Sequence, residues 1–306
     1  MKLRWLLVVS AFCGFKGFAG MADPAADPFA ARRALFDYDP RAGFAVVERS
    51  VEQRGDIAIR DVLLQPRVKE AGPEIEAYLV APVAAQSVAG ILWVHWLGEP
   101  ATSNRTQFLE EAVALARRGV GSVLVDAMWS RPRWYPTRNL DEDRAHSIRQ
   151  VIELRQALDV LLAQPGVDPA RVALVAHDYG AMHGIIVAGV DRRVRACVWI
   201  AATRSFTDWA FFAKKPAAMD QYLAQNRELE LVDFLRETHG VPLLMQFARQ
   251  DDYVPVERAE ALFAAAHEPK VMRLYPAAKH EMTAPAEIRA DRDAWLARTL
   301  GLKSEP

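Results

Sequence analysis

An apolar run, Val172-Ala173-Leu174-Val175-Ala176, passes through His177 and Asp178 into Tyr179-Gly180-Ala181, placing a carboxylate between a strand and the small-residue start of a helix. A side chain on a strained strand-to-helix turn projects from the head of its strand, and its neighbours must be small for the turn to close, as in the pattern G-x-S-x-G. Here Ala176 and Gly180 hold the small positions and Asp178 stands where the pattern has serine. A carboxylate that attacks an ester carbonyl must expel an alkoxide far more basic than itself, so the adduct mostly collapses backwards. Attack on an sp³ carbon bearing a halide, or on an epoxide carbon, instead yields a covalent ester that activated water can hydrolyse. Two other roles stay open for Asp178: a catalytic base, or a cap on the following helix.

Downstream lie an acid and then a histidine, the chain order such a nucleophile requires. Asp251 and its neighbour Asp252 follow the apolar run Pro242–Phe247, and Asp251 is the preferred acid. His280 closes the small-residue loop Tyr275-Pro276-Ala277-Ala278-Lys279. His280 would activate water while Asp251 orients the ring and stabilises its cation. Backbone N–H groups should complete the site, one from Tyr179 after the nucleophile and one from the loop His95-Trp96-Leu97-Gly98-Glu99-Pro100.

His177-Asp178-Tyr179-Gly180 resembles the elbow of haloalkane dehalogenases and epoxide hydrolases, whose nucleophile is aspartate. Asp251-Asp252-Tyr253-Val254-Pro255 resembles the D-x-x-V-P acid loop of dienelactone hydrolase and prolyl-peptidase relatives. Val167-Asp168-Pro169-Ala170-Arg171 and Asp191-Arg192-Arg193-Val194 are similar to the segments that flank the nucleophile in the dienelactone hydrolase family. The resemblance spans residues 75–300 or so. It implies an α/β-hydrolase fold, a cofactor-free hydrolase, and Trp96 as the second oxyanion donor. That family usually carries cysteine or serine at the elbow, so Asp178 is a departure that bears on substrate class. An esterase or lactonase acting on good leaving groups is the alternative enzyme, and a non-catalytic binding protein of the same fold is the alternative outside enzymology.

The segment Trp129-Ser130-Arg131-Pro132-Arg133-Trp134-Tyr135 follows a strand and should lie at the carboxyl edge of the sheet, where ligands bind in such folds. Arg131 or Arg133 would grip a substrate carboxylate, Trp129 or Trp134 a halide, and Tyr135 or Tyr222 an epoxide oxygen. Against each stands the plain role of a solvated loop. His183 is expected to pack or to face solvent, and Cys197, in the apolar run Ala196–Ile200, to be a buried structural thiol. No zinc-ligand spacing and no glycine-rich phosphate loop occurs, so neither metal nor cofactor is expected.

The elements that must position these groups alternate. Strands are expected at Ile57–Leu64, Ile75–Val80, Gly90–His95, Gly121–Val125, Arg171–Ala176, Ala196–Ala201, Pro242–Phe247 and Val271–Tyr275. Helices are expected from Thr106 to Arg118, capped by Asn104 with Gln107, along the stripe Val151, Leu154, Leu158, Leu161, and from Glu287 to Leu300. This rhythm predicts one doubly wound, mostly parallel α/β domain over residues 51–302, preceded by an arm over 23–50. Between the strands ending at Ala201 and starting at Pro242, a connection too long for a plain loop predicts a small helical cap over about 203–240. Phe206, Trp209, Phe211, Phe212, Tyr222, Phe234 and Leu235 are available to pack it or to line a pocket, with two at most expected to touch substrate.

A content of 51% hydrophobic and 25% charged residues is that of a folded globular chain. Lys2 and Arg4, the apolar run Trp5–Phe15 and the small residues Ala19, Gly20 and Ala22 have the layout of an export signal over 1–22, predicting a periplasmic or secreted protein with no lasting membrane insertion. Its removal takes Lys2, Arg4 and Lys16, leaving 35 basic against 39 acidic side chains. That balance argues against nucleic acid and anionic membrane as partners and leaves a small-molecule substrate.

Overall fold

Strands β4 (Ala89–Val94), β5 (Val120–Val125), β6 (Val172–His177), β7 (Ala196–Ile200) and β8 (Leu243–Ala248) are buried along their whole length, because helices cover both sheet faces. They belong to a nine-stranded sheet with β1 (Phe44–Arg54), β2 (Ile57–Pro66), β3 (Ile75–Pro82) and β9 (Lys270–Tyr275), in the order β1-β2-β3-β5-β4-β6-β7-β8-β9. The strands from β5 through β9 in that order run parallel, while β1, β2 and β3 form an antiparallel flank that joins at β5. The computed structural model describes residues 29–68, 72–83, 89–205, 208 and 216–302. The expected export signal and the cap residues Phe206, Trp209, Phe211 and Phe212 lie outside them.

The helices are α1 (Ala30–Ala34), α2 (Leu109–Ala116), α3 (Trp134–Thr137), α4 (Asp143–Leu162), α5 (Tyr179–Val190), α6 (Met219–Asn226), α7 (Leu231–Arg236), α8 (Val256–Ala265) and α9 (Glu287–Thr299). Two apolar cores result. Leu154 and Leu158 of α4, Ile185 of α5, Phe234 of α7 and Leu262 of α8 fill one face, and Leu115 of α2 with Trp295 and Leu296 of α9 fill the other. The expected α/β-hydrolase architecture is thus present. Among the described residues no helix is long and apolar enough to cross a membrane.

Strand β1 has no counterpart among the expected strands. Only Phe44 is buried and most of the rest is exposed, since it is an edge strand that the helix Asp143–Leu162 meets only near its start. A strand with both faces in solvent carries no apolar alternation, so Val47-Glu48-Arg49-Ser50 reads as polar chain. It joins the sheet through its backbone and through Arg49, which pairs with Asp61 and Glu76.

The chain goes from β4 to β5 on one side and returns to β6 on the other, so the order reverses at β4. A crevice opens at the carboxyl ends of strands flanking such a reversal. The loops after β4 and β6 therefore meet there, and those after β5, β8 and β9 surround them.

Candidate active site

Asp178 adopts φ 54° and ψ −118°, a conformation that costs a non-glycine residue energy. The surroundings enforce it: the Asp178 N–H donates to the carbonyl of Ile200 on β7 at 2.8 Å, and its own carbonyl accepts from Met182 at 3.1 Å. Close approach of α5 to the end of β4 requires glycine at 180, where a Cβ would stand 2.5 Å from the carbonyl oxygen of His95 and 2.8 Å from that of Val94. Asp178 occupies the N-cap position of α5, yet its carboxylate makes no capping hydrogen bond. The helix-cap role is set aside on that geometry, and the carboxylate lines a cavity instead.

One oxygen of Asp178, Oδ2, accepts the backbone N–H of Leu97 at 2.9 Å. The other, Oδ1, stands 3.5 Å from Nε2 of His280. On the far side of the ring, Nδ1 of His280 lies 2.9 and 3.0 Å from the two oxygens of Asp251. Asp251 is fixed by the N–H groups of Tyr253 and Val254, at 2.8 and 2.9 Å, while Asp252 is exposed. The three residues expected to cooperate thus converge from the ends of β6, β8 and β9, with Asp251 facing His280. Burial opposes charge on His280, but the carboxylates of Asp178 and Asp251 outweigh it and push the imidazole up to about 9. The resting histidine is therefore an imidazolium held between two carboxylates.

Of the expected donor loop, the N–H that reaches Asp178 is that of Leu97, not that of Trp96. The Trp96 N–H is taken by Oε1 of Gln107 at 2.9 Å, which leaves the next amide to face Asp178. Gln107 consequently does not cap α2, which begins at Leu109. The Trp96 ring does border the cavity and lies 5.8 Å from the His280 ring. Tyr179, the other expected donor, heads α5 directly after Asp178, with its ring turned inward against Trp129 and His183.

The cavity has a volume of about 440 Å³ and is bordered by Asp178, His280, Trp96, Trp129, Trp134 and Tyr135, with Arg131, Arg133, Glu99 and Tyr253 beside them. Trp129 does not fit the expected halide-donor role. The Trp129 Nε1–H lies 3.1 Å from the carbonyl of Trp96, which is its acceptor. His95 cannot accept at Nδ1, because its Nε2 receives the Ala127 N–H and its Nδ1–H donates to the same Trp96 carbonyl. Tyr222 is absent from the cavity lining, and its hydroxyl donates to Asp143 at 2.7 Å, joining the cap to α4. Tyr135 is buried under the guanidinium of Arg138, 4.1 Å from its ring. Arg131 and Arg133 form no hydrogen bond from their guanidinium groups among the described residues and stand exposed at the mouth.

His183 packs inside, fully buried, with Nδ1 on the Tyr179 carbonyl at 2.8 Å, and burial lowers it to about 4. Cys197 is a buried free thiol that burial pushes up. Among the described residues no group of three or more His, Cys, Asp or Glu could hold a metal. Leu97, Gln107, His177 and Tyr253 escaped the sequence reading as site residues. Leu97 stood inside the expected donor loop, His177 inside the elbow motif and Tyr253 inside the acid loop, while Gln107 carried no local signal of a place in the site.

The fold is that of solved esterases. An acetyl xylan esterase from Paenibacillus sp. R4 superposes with a TM-score of 0.69 at 17% identity, over 89% of this chain and 92% of that one. Acetyl xylan esterase 1 from Thermoanaerobacterium sp. JW/SL YS485 gives 0.67 at 17% identity, over 91% and 94%. A cold-adapted esterase from an Arctic intertidal metagenomic library gives 0.57 at 16% identity, over 82% and 97%. No protein-family model and no curated protein sequence matches the chain.

Proposed function

We propose that this chain is a cofactor-free hydrolase in which Asp178 is the nucleophile and a covalent ester of Asp178 is the intermediate. The observation that carries the reading is the state of that carboxylate: no helix cap uses it, Oδ2 rests on the Leu97 N–H, and Oδ1 faces His280 beside the cavity. Oδ1 attacks a carbon bearing a halide or an epoxide oxygen, the carbon–halogen or carbon–oxygen bond breaks, and its electron pair leaves with that atom. Oδ2 becomes the carbonyl oxygen of the new ester without leaving the Leu97 N–H.

Esterification removes the negative charge of Asp178, one of the two that hold His280 protonated. The His280 proton then departs, to an epoxide-derived alkoxide or to solvent. Neutral His280 accepts a proton from water, the hydroxide adds to the ester carbonyl carbon, and the Leu97 N–H stabilises the oxyanion on Oδ2. Collapse breaks the bond between the carboxyl carbon and Oδ1, and the leaving alkoxide takes the His280 proton and departs as the alcohol with Oδ1. The proton on the new carboxyl group passes to His280, which restores the Asp178 carboxylate beside the imidazolium. Asp251 keeps the ring in place throughout. The exposed guanidinium groups of Arg131 and Arg133 at the mouth favour a substrate with a negative group.

A second reading is the dienelactone hydrolase-like one, hydrolysis of an activated ester or lactone, which fits the esterase likenesses no better than the first. Intact-protein mass spectrometry of His280→Gln, incubated with haloalkanoates, epoxides and activated esters, tests the proposal. An alkyl mass increase on Asp178 supports it. Absence of any adduct, with His280-dependent turnover of activated esters by the unaltered protein, transfers the case to the second reading. A protein that turns over none of these in a His280-dependent manner is a binding protein of this fold.

A further inference from the structure

We infer that Gln107 and His177 are positioning residues, a neutral relay that selects Leu97 rather than Trp96 as the backbone donor to Asp178 and holds the His280 loop by its carbonyl. The inference rests on the proposed nucleophilic role of Asp178 for its kinetic consequence, but not for its geometry.

Four contacts make the relay. The Trp96 N–H donates to Gln107 Oε1 at 2.9 Å; Gln107 Nε2 lies 2.8 Å from His177 Nδ1; His177 Nε2 lies 3.0 Å from the carbonyl oxygen of His280. The Trp96 ring also stacks on the His177 ring, centroids 5.5 Å apart and planes within 14°. Both ends are backbone groups of fixed polarity. Because the Trp96 N–H can only donate, the amide oxygen of Gln107 must face it, and the amide NH₂ must face His177. Nδ1 of His177 is then an acceptor, so the ring proton is on Nε2, where the His280 carbonyl can only accept it. A flipped Gln107 would set its amide oxygen against the lone pair of His177 Nδ1 and, at Trp96, N–H against N–H. A protonated His177 would set N–H against N–H at Nδ1, and full burial beside the His280 cation also keeps the ring neutral. One arrangement of protons satisfies every member.

The relay ties together the loop after β4, the residue before the elbow aspartate, and the loop after β9. With the Trp96 amide engaged, the loop presents its next amide, that of Leu97, to Oδ2 of Asp178. That donor matters most when the ester carbonyl of Asp178 is attacked and charge develops on Oδ2. Loss of the relay should therefore act on the second chemical step more than on the first.

The first test needs no variant. Nitrogen-15 NMR of the histidine-labelled full chain should show His177 as the Nε2–H tautomer with no titration across the neutral range. The Nδ1–H tautomer, or titration near the ordinary histidine value, overturns the relay. Gln107→Glu keeps an acceptor for the Trp96 N–H but turns a second acceptor toward Nδ1, so it should make His177 titrate; an unmoved His177 signal also overturns it. In the kinetic test, Gln107→Leu should slow hydrolysis of the alkyl ester by about 10- to 100-fold while alkylation of Asp178 changes little, so the adduct accumulates in mass spectra of a protein that retains His280. Equal loss of both steps would reduce Gln107 to a structural role. If no variant ever forms an adduct, the nucleophile reading fails, and the NMR result still decides the relay.

Discussion

The Oδ2 oxygen of Asp178 rests on the backbone N–H of Leu97 at 2.9 Å, so the carboxylate oxygen already occupies the place an ester carbonyl oxygen would take. A serine hydroxyl at an elbow points at the substrate while the donors wait for the substrate's oxygen. Here the donor and the carboxylate proposed as nucleophile are joined before any substrate binds.

The charge on His280 should govern part of the pH dependence of stability. Its folded value of about 9 lies above the ordinary 6.5, so the contribution is fully present below about pH 6.5 and is lost as pH rises through about 9. The stability difference between the unaltered protein and His280→Gln, measured by denaturant unfolding, should shrink over that window. In Asp178→Asn, with one flanking carboxylate gone, the NMR midpoint of His280 should fall by about 1–3 units. An unchanged midpoint would mean that Asp178 does not hold the proton.

Asp178→Ser should create an esterase-like centre, since the hydroxyl would face a histidine no longer locked as a cation and the Leu97 N–H would be free for a substrate oxygen. Turnover of activated aryl esters should rise at least about tenfold above that of the unaltered protein. A rise that disappears in Asp178→Ser combined with His280→Gln would show that the histidine acts as base.

Gly180→Ala tests the elbow's packing. Its Cβ meets two backbone carbonyl oxygens at 2.5 and 2.8 Å, atoms that cannot swing aside as a side chain can. Denaturant unfolding should show a loss of about 1–3 kcal/mol or more, the usual range for overpacking. Ala181, one residue on, is the control position, and Ala181→Gly should leave the elbow contacts intact.

Trp129→Phe separates structure from substrate binding. Its N–H serves the Trp96 carbonyl, which His95 also supplies. The expected loss is therefore about 0.5–1.5 kcal/mol of stability, with KM little changed. A large rise in KM for halogenated substrates, without loss of stability, would return Trp129 to the halide-donor role.

Arg131→Ala should raise KM for substrates bearing a carboxylate and leave neutral substrates of the same reaction nearly unaffected, because the guanidinium has no hydrogen bond to another described residue to lose. Equal effects on charged and neutral substrates would assign Arg131 to loop structure.

The part legible from the chain's own residues was local. The buried strands Val172–His177 and Leu243–Ala248, the small residues around Asp178, and the order Asp178, Asp251, His280 each follow from neighbours a few positions apart, and the structure places all three residues together. Apolar runs of covered strands are legible because both faces demand the same residue type. Exposed β1 was not, because its pairing runs through backbone groups that every residue carries. The identity of the second backbone donor was equally hidden. It turns on Gln107, eleven positions from Trp96, choosing one amide over the next, and no pattern within the loop records that choice. Trp129 and Tyr222 looked available from sequence, but the folded chain had already given each polar tip a partner, the Trp96 carbonyl and Asp143. A buried polar group is costly unless it is paired, and the partner can come from anywhere in the fold, so tertiary structure alone decided which of the candidate groups still face the cavity.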